Sequence, residues 1–275
     1  MYSINCKGKL ISIETPLIMG IINATPDSFY KGDILLGMDG LINKAQQMIA
    51  EGVDIIDVGG QSTRPNATLL TIQEELERVI PIISALHTLH PQLIISVDTF
   101  YSEVAKQAIA AGASIVNDVS GGTIDEAMLP TVAALQVPYI CMHMKGNPQT
   151  MQQLAMYDDV TLEVLDFFIK KVHDCSAVGI KDVIIDPGFG FAKTITHNFT
   201  LLKNLSQLKI LQCPILVGLS RKSTVYKTLN ITADEALNGS TVLHTLALEN
   251  GANILRVHDV KAAKEAVQLL AAYHQ

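Results

Sequence analysis

The chain contains no uncharged apolar stretch near the roughly 18 residues of a membrane span, so no membrane association is expected. Its opening segment, MYSINCKGKLISIETP, lacks a long apolar core and a small-residue cleavage pattern, which argues against a secretion signal. Cysteine is scarce: Cys6, Cys141, Cys175 and Cys213 lie far apart and form no C-x-x-C pair. That spacing argues against structural zinc and a disulfide framework, and it fits a reducing cytoplasm. Positive charge is short too, with 20 Lys and Arg against 27 Asp and Glu, a formal net charge of −7. A broad nucleic-acid surface is therefore not expected, although a few local cations can still hold a small anion. Charged residues are 17% of the chain and apolar residues 48%, which argues against disorder. No linker is evident, and residues 1–275 read as one domain.

What is present is an alternation. Short runs rich in Ile and Val occur at 17–23, 54–60, 93–99, 115–121, 139–144, 183–190, 214–220 and 254–260. Amphipathic segments separate them, such as LINKAQQMIAEG and SEVAKQAIAAG, each closed by glycine. The mean repeat is about 34 residues, close to a βαβ unit. This pattern predicts a (β/α)₈ barrel, and CKGKLISIE reads as a short N-terminal hairpin beneath it. An open doubly wound sheet more often places a glycine-rich phosphate turn after the first strand, and none is found there.

In such a barrel the C-terminal strand ends meet at one mouth. The residues expected there are Asn23, Ser62, Thr63, Arg64, Asp98, Asn117, His143, Asp186, Ser220, Arg221, Lys222, Arg256, His258 and Asp259. Alone, Asp98 or Asp186 reads as a cap for the next helix. Together with Asn117, on three strands facing one mouth, they suit a flat heterocycle with an amino group beside a ring N–H. Arg64, Lys222, Arg256 and His258 suit a polyphosphate, although for Arg64 a surface charge and for His258 a structural histidine are competing readings. His143, between two methionines, reads as a packed strand histidine. Asn23 offers an amide oxygen to a hard cation such as Mg²⁺, a weak signal by itself. Of Phe189 and Phe191, core packing accounts for one ring, and the other is free to stack on an aromatic ligand.

The segments IMGIINATPDSF, GVDIIDVGGQSTRP, ISVDTF, IVNDVSGG, MHMKGNPQTMQ, DPGFGFAKTITHN, GLSRKS and RVHDV together resemble the dihydropteroate synthase family, in order and over nearly the whole chain. The resemblance implies condensation of 6-hydroxymethyl-7,8-dihydropterin diphosphate with 4-aminobenzoate, releasing pyrophosphate in folate biosynthesis. It implies a dimeric barrel, magnesium as cofactor and sulfonamides as competitors of the aminobenzoate. It further implies a pterin pocket of Asp98, Asn117, Asp186 and Lys222, with Asp98, Lys222 and Arg256 as catalytic residues. Thr63, Arg64, Arg256 and His258 correspond to diphosphate contacts, Val257 to a further substrate-binding residue, Asn23 to the magnesium and diphosphate residue, and Pro65, Phe189 and Ser223 to residues flanking the aminobenzoate. The sequence departs from the commoner pattern at Tyr30–Ile34, at Gln61 where Glu is usual, at Asn66 where Gly is frequent, and in GFAK, which replaces GFGK.

Two rival functions share this barrel. A pterin-binding methyltransferase domain has an Asp–Asn–Asp pocket but needs neither STRP nor SRKS. A catalytically dead binding barrel would be expected to lose its strand-end cations, and this chain keeps them.

Overall fold

The computed structural model describes residues 2–24, 37–61, 69–147 and 149–275. Strands β1 (Tyr2–Cys6) and β2 (Lys9–Ile13) form an antiparallel hairpin. Eight parallel strands follow in one sheet: β3 (Leu17–Asn23), β4 (Ile55–Gly59), β5 (Ile94–Asp98), β6 (Ile115–Asp118), β7 (Tyr139–Met142), β8 (Val183–Asp186), β9 (Leu216–Val217) and β10 (Ile254–Val257). The spatial order is β8-β7-β6-β5-β4-β3-β10-β9. A parallel bridge between Ile185 and Ile215 brings β8 to β9 and nearly closes the barrel.

Helices α1 (Met38–Ala50), α2 (Ile72–Leu89), α3 (Ser102–Ala111), α4 (Met128–Leu135), α5 (Val160–Val178), α6 (Ile195–Lys203), α7 (Ser223–Leu229), α8 (Leu237–Glu249) and α9 (Val260–Tyr273) are those among the described residues. Their boundaries follow local chemistry. Thr71 caps α2 in a reciprocal box with Glu74, and Asp159 accepts from Thr161 N and Leu162 N at the start of α5. The helix α5 stops at Gly179 in the left-handed region.

Two apolar layers result from strand alternation. Outward residues such as Ile56, Val58, Val97, Val116, Ile185, Val217 and Val257 pack with the helices in the larger core. Inward residues Met19, Ile55, Ile94, Ile115, Ile140, Ile184, Leu216 and Ile254 fill the barrel floor, where the hairpin's Ile4, Cys6 and Ile13 close it from below. One inward position further along, five of the eight strands turn polar, while Ile21, Met142 and Gly218 do not. Among the described residues no helix is long and apolar enough to cross a membrane.

Candidate functional site at the barrel mouth

Strand parity puts Asp57, Ser96, Asn117, Asp186 and Arg256 above the isoleucine floor, each two residues beyond a floor residue. Asp57 is fully buried, and Asn117 and Asp186 nearly so. Arg256 is the hub. Its Nε donates to Asp57 Oδ2 at 2.7 Å and its Nη2 to Asp98 Oδ2 at 2.6 Å. Asn117 Nδ2 also donates to Asp57 Oδ2, at 3.0 Å. Paired in this way, Arg256 offsets part of the cost of burying two carboxylates. Burial opposes its charge, but Asp57 and Asp98 outweigh that and raise its pKa.

Asp98 and Asp186 are held differently. Burial pushes the Asp98 carboxyl up to about 7, only partly offset by Arg256. Burial also raises Asp186, against the pull of Lys222 and a 2.8 Å hydrogen bond from Gly188 N to Asp186 Oδ1. Lys222 reaches across from the opposite side of the β8–β9 closure. Its Nζ donates to the carbonyl of Phe189 and lies 4.7 Å from the centre of the Phe191 ring. Burial lowers it to about 8, with Asp186 favouring its charge. Gly218 borders both cations: a Cβ there would stand in ordinary contact, 3.6 Å from Lys222 Nζ and 3.9 Å from Arg256 Cβ.

The two adjacent cations of GLSRKS separate. Arg221 adopts a left-handed φ of 53° and turns outward. Its guanidinium makes a bidentate pair with Asp259, at 2.8 and 2.9 Å, and donates to the carbonyls of Ala233 and Asp234. Lys222, in extended backbone, points inward. A single left-handed residue thus divides a structural clamp from a site lysine.

Other expected residues are placed as follows. Asn23 ends β3 and pairs in register with Gly59, half-buried at the mouth. His258 lies just past β10, and burial with nearby Lys44 and Arg256 lowers it to about 4, so its ring is neutral near pH 7. Ser223 begins α7. Thr63, Arg64 and Pro65, with Asn66 and Tyr30–Ile34, lie outside the described residues. Gln61 is buried, donating to Glu75 Oε2 at 2.8 Å and accepting from Leu70 N at 3.1 Å. A Glu there would set two buried carboxylates together, which explains why an amide suits this chain.

Two expectations need correction. Val257 has its side chain in the core between sheet and helices, because it is odd in parity with Arg256. Phe189 likewise packs in that core with no exposed surface, so its ring is not at the mouth, although its carbonyl is. Phe191 is the ring that stands beside Lys222. The residue that sequence reasoning missed is Asp57. Its signal was an Asp inside the apolar run DIIDVGG, at the same parity as Gly59 and in register with Ser96.

A family model for pterin binding enzymes matches residues 19–258. The chain belongs to the pterin-binding enzyme family. It is 41% identical to the dihydropteroate synthase of Escherichia coli strain K12 over 268 residues, covering 97% of this chain and 94% of that protein. It superimposes on a Xanthomonas albilineans dihydropteroate synthase with 4-aminobenzoic acid at a TM-score of 0.92 and 38% identity, covering 99% of this chain and 98% of that one. A dihydropteroate synthase of the same organism in complex with 7,8-dihydropteroate gives a TM-score of 0.90 and 36% identity, covering 99% of each chain. Pterin-binding enzymes are thus similar to this chain over nearly its whole length.

Proposed function

We infer that this chain is a transferase with dihydropteroate synthase activity, joining 6-hydroxymethyl-7,8-dihydropterin diphosphate to 4-aminobenzoate. Family membership across the barrel supports it. The observation that carries it is the polar layer in which Asp57, Asp98 and Arg256 form one hydrogen-bonded unit beside Asp186 and Lys222.

The pterin ring carries an amino group and ring N–H donors beside carbonyl and ring-nitrogen acceptors. Asp186, Asn117 and Asp98 offer it acceptors and one amide, and Lys222 donates to its polar edge. Ring N–H donors favour the ionised carboxylates, lowering the burial penalty that raises Asp98 and Asp186 in the free enzyme.

The reaction breaks the C–O bond between the exocyclic CH₂ and the diphosphate, then forms a C–N bond to the aminobenzoate amine, which loses a proton. Cleavage leads, and the ring spreads the resulting positive charge. The two carboxylates below it favour that cation electrostatically. Among the described residues Nη1 of Arg256 makes no hydrogen bond, so the guanidinium keeps donors for the departing diphosphate while holding Asp57 and Asp98. No nucleophilic side chain is required.

Magnesium fits the chemistry only in part. Among the described residues no group of three or more His, Cys, Asp or Glu is placed to cage a metal. Asn23 would hold the ion through its amide oxygen, with diphosphate oxygens and water completing the shell. When bound, magnesium neutralises charge on the leaving group. The 4-aminobenzoate would lie beside Phe191, Lys222 and Ser223, with Pro65 assigned to its flank by motif alone, and sulfonamides would compete for that place. By motif, Thr63, Arg64 and His258 correspond to diphosphate contacts.

The enzyme works as a homodimer in the cytoplasm. Exposed Val242, Leu246, Leu269 and Tyr273 on α8 and α9 support association, and the four free, buried cysteines fit a reducing compartment. The test of function is pyrophosphate release with both substrates present, with each omitted, and with or without Mg²⁺. Release that ignores aminobenzoate, or transfer of a methyl group instead, would refute the assignment.

A further inference from the structure

Lys193 ends the GFAK stretch and takes no part in the reaction described above. It is 5% exposed, yet its amine has no carboxylate partner within salt-bridge distance among the described residues. Its Nζ lies 2.9 Å from His143 Nδ1 and donates to the carbonyls of Gly188 and Phe191, both at 3.1 Å. The carbonyl of His143 is 3.5 Å away. An amine is costly to bury, so three close partners at one point mark a built feature.

Those partners define what the amine holds. Gly188, Gly190 and Ala192 all have left-handed φ, at 70°, 83° and 47°. Such a turn aims Phe189 into the core and Phe191 toward Lys222, and it is strained at Ala192, which has a Cβ. Phe191 N donates to Gly188 O, and Gly190 N to Asn198 Oδ1. Lys193 Nζ joins the first and last carbonyls of this turn. It also fastens them to His143, whose own N–H donates to Asp186 O. The absent Cβ of Gly190 would meet Lys222 Cδ at 3.2 Å, so the turn is also the surface along which Lys222 runs.

We propose that Lys193 is a positioning residue for the second substrate: its buried amine ties the 188–191 turn to His143 and fixes Phe191 and the Phe189 carbonyl against Lys222. It touches neither substrate. Burial lowers this lysine to about 7 and His143 to about 2, which keeps a neutral imidazole beside the amine. The neutral ring accepts from an ammonium at Nδ1, or donates to the free amine from it, so the pair stays bonded in either state. Asp98 and Asn117 grip the pterin from strands apart from this turn, and Asp186, on β8, meets it through the hydrogen bond from Gly188 N, so the larger effect falls on the second substrate.

The assignment rests on dihydropteroate synthase activity, so wild-type turnover of both substrates is measured first and tests that function by itself. Lys193→Met keeps the aliphatic stem and removes every donor; Lys193→Gln keeps two. Lys193→Met is expected to raise KM for 4-aminobenzoate about tenfold or more, with KM for the pterin diphosphate moving less than about threefold. Lys193→Gln should recover most of that loss. Combined with Phe191→Ala, either variant should add little beyond Phe191→Ala alone, because both act through one ring. Should Lys193→Met not fold, His143→Phe, which removes one partner of the amine and keeps a packed ring, takes its place in the same cycle and should raise KM for 4-aminobenzoate in the same direction. Unchanged KM values with kcat falling only in step with lost folded protein, or fully additive effects with Phe191→Ala, would overturn the proposal.

Discussion

At the barrel floor the interior is Ile55, Ile94, Ile115, Ile184, Leu216 and Ile254. Two residues further along the same strands stand Asp57, Ser96, Asn117, Asp186, Gly218 and Arg256. The floor stabilises the fold, at about 1.5–3 kcal/mol for each fully buried aliphatic side chain. The mouth works against it: Asp57 Oδ1 and Ser96 Oγ are buried without partners, and Asp98 and Asp186 are pushed toward protonation. A protein with no ligand to hold has no reason to keep such a layer, since apolar side chains of similar volume are often as stable or more so. The difference teaches that a site here is built by changing one inward register, leaving the strand backbone and the outer core alone.

The largest effect should come from cutting the hub. Arg256→Ala leaves Asp57 and Asp98 buried without their cation, and turnover should fall about 10²–10³-fold. Stability should drop by about 3 kcal/mol as well, readable in urea denaturation. Near-normal kcat would remove Arg256 from the chemistry and break the contrast between the layers.

The matching change at the floor is Ile184→Ala, one inward position below Asp186. It should cost about 2–5 kcal/mol of stability while leaving kcat per folded molecule nearly unchanged. If catalysis suffers first, the floor is not merely structural support.

Asp186→Asn should weaken pterin binding by about tenfold and aminobenzoate binding much less, as measured by calorimetry with each ligand. Equal losses would contradict its place in the pterin pocket.

Asp98 sharpens the contrast through pH. Its carboxyl sits at about 7 when folded, above the ordinary carboxylate range, so the native state holds the proton more tightly. Its stabilising contribution is full below about pH 4 and is lost as pH rises through about 7. Asp98→Asn should flatten that part of the stability–pH curve, and an unchanged slope would assign it to other groups.

The smallest effect is expected at Arg221→Lys. Losing the bidentate fork to Asp259 should cost about 1 kcal/mol, with turnover changing less than about threefold. A large kinetic loss would place Arg221 in the site after all.

Much of this was legible without coordinates. Short Ile- and Val-rich runs and glycine-stopped helical stretches define the eight-fold alternation, and the Asp, Asn, Lys and Arg at strand ends follow from it. Parity alone would have turned Val257 outward, given Arg256 inward, and would have added Asp57. The run at 214–220 shrank to the two residues of β9, because Gly218 and the turn at Arg221 leave the ladder early.

The sequence by itself determined the barrel, the order of its strands and the polar strand ends, since side-chain period and residue type are local properties. Tertiary structure alone decided that Arg256 bridges Asp57 and Asp98, that Phe191 rather than Phe189 faces Lys222, and that Lys193 is buried behind them. Those facts depend on left-handed turns and on contacts between residues as far apart as 57 and 256, where distance in space is set by closure of the sheet and not by position along the chain.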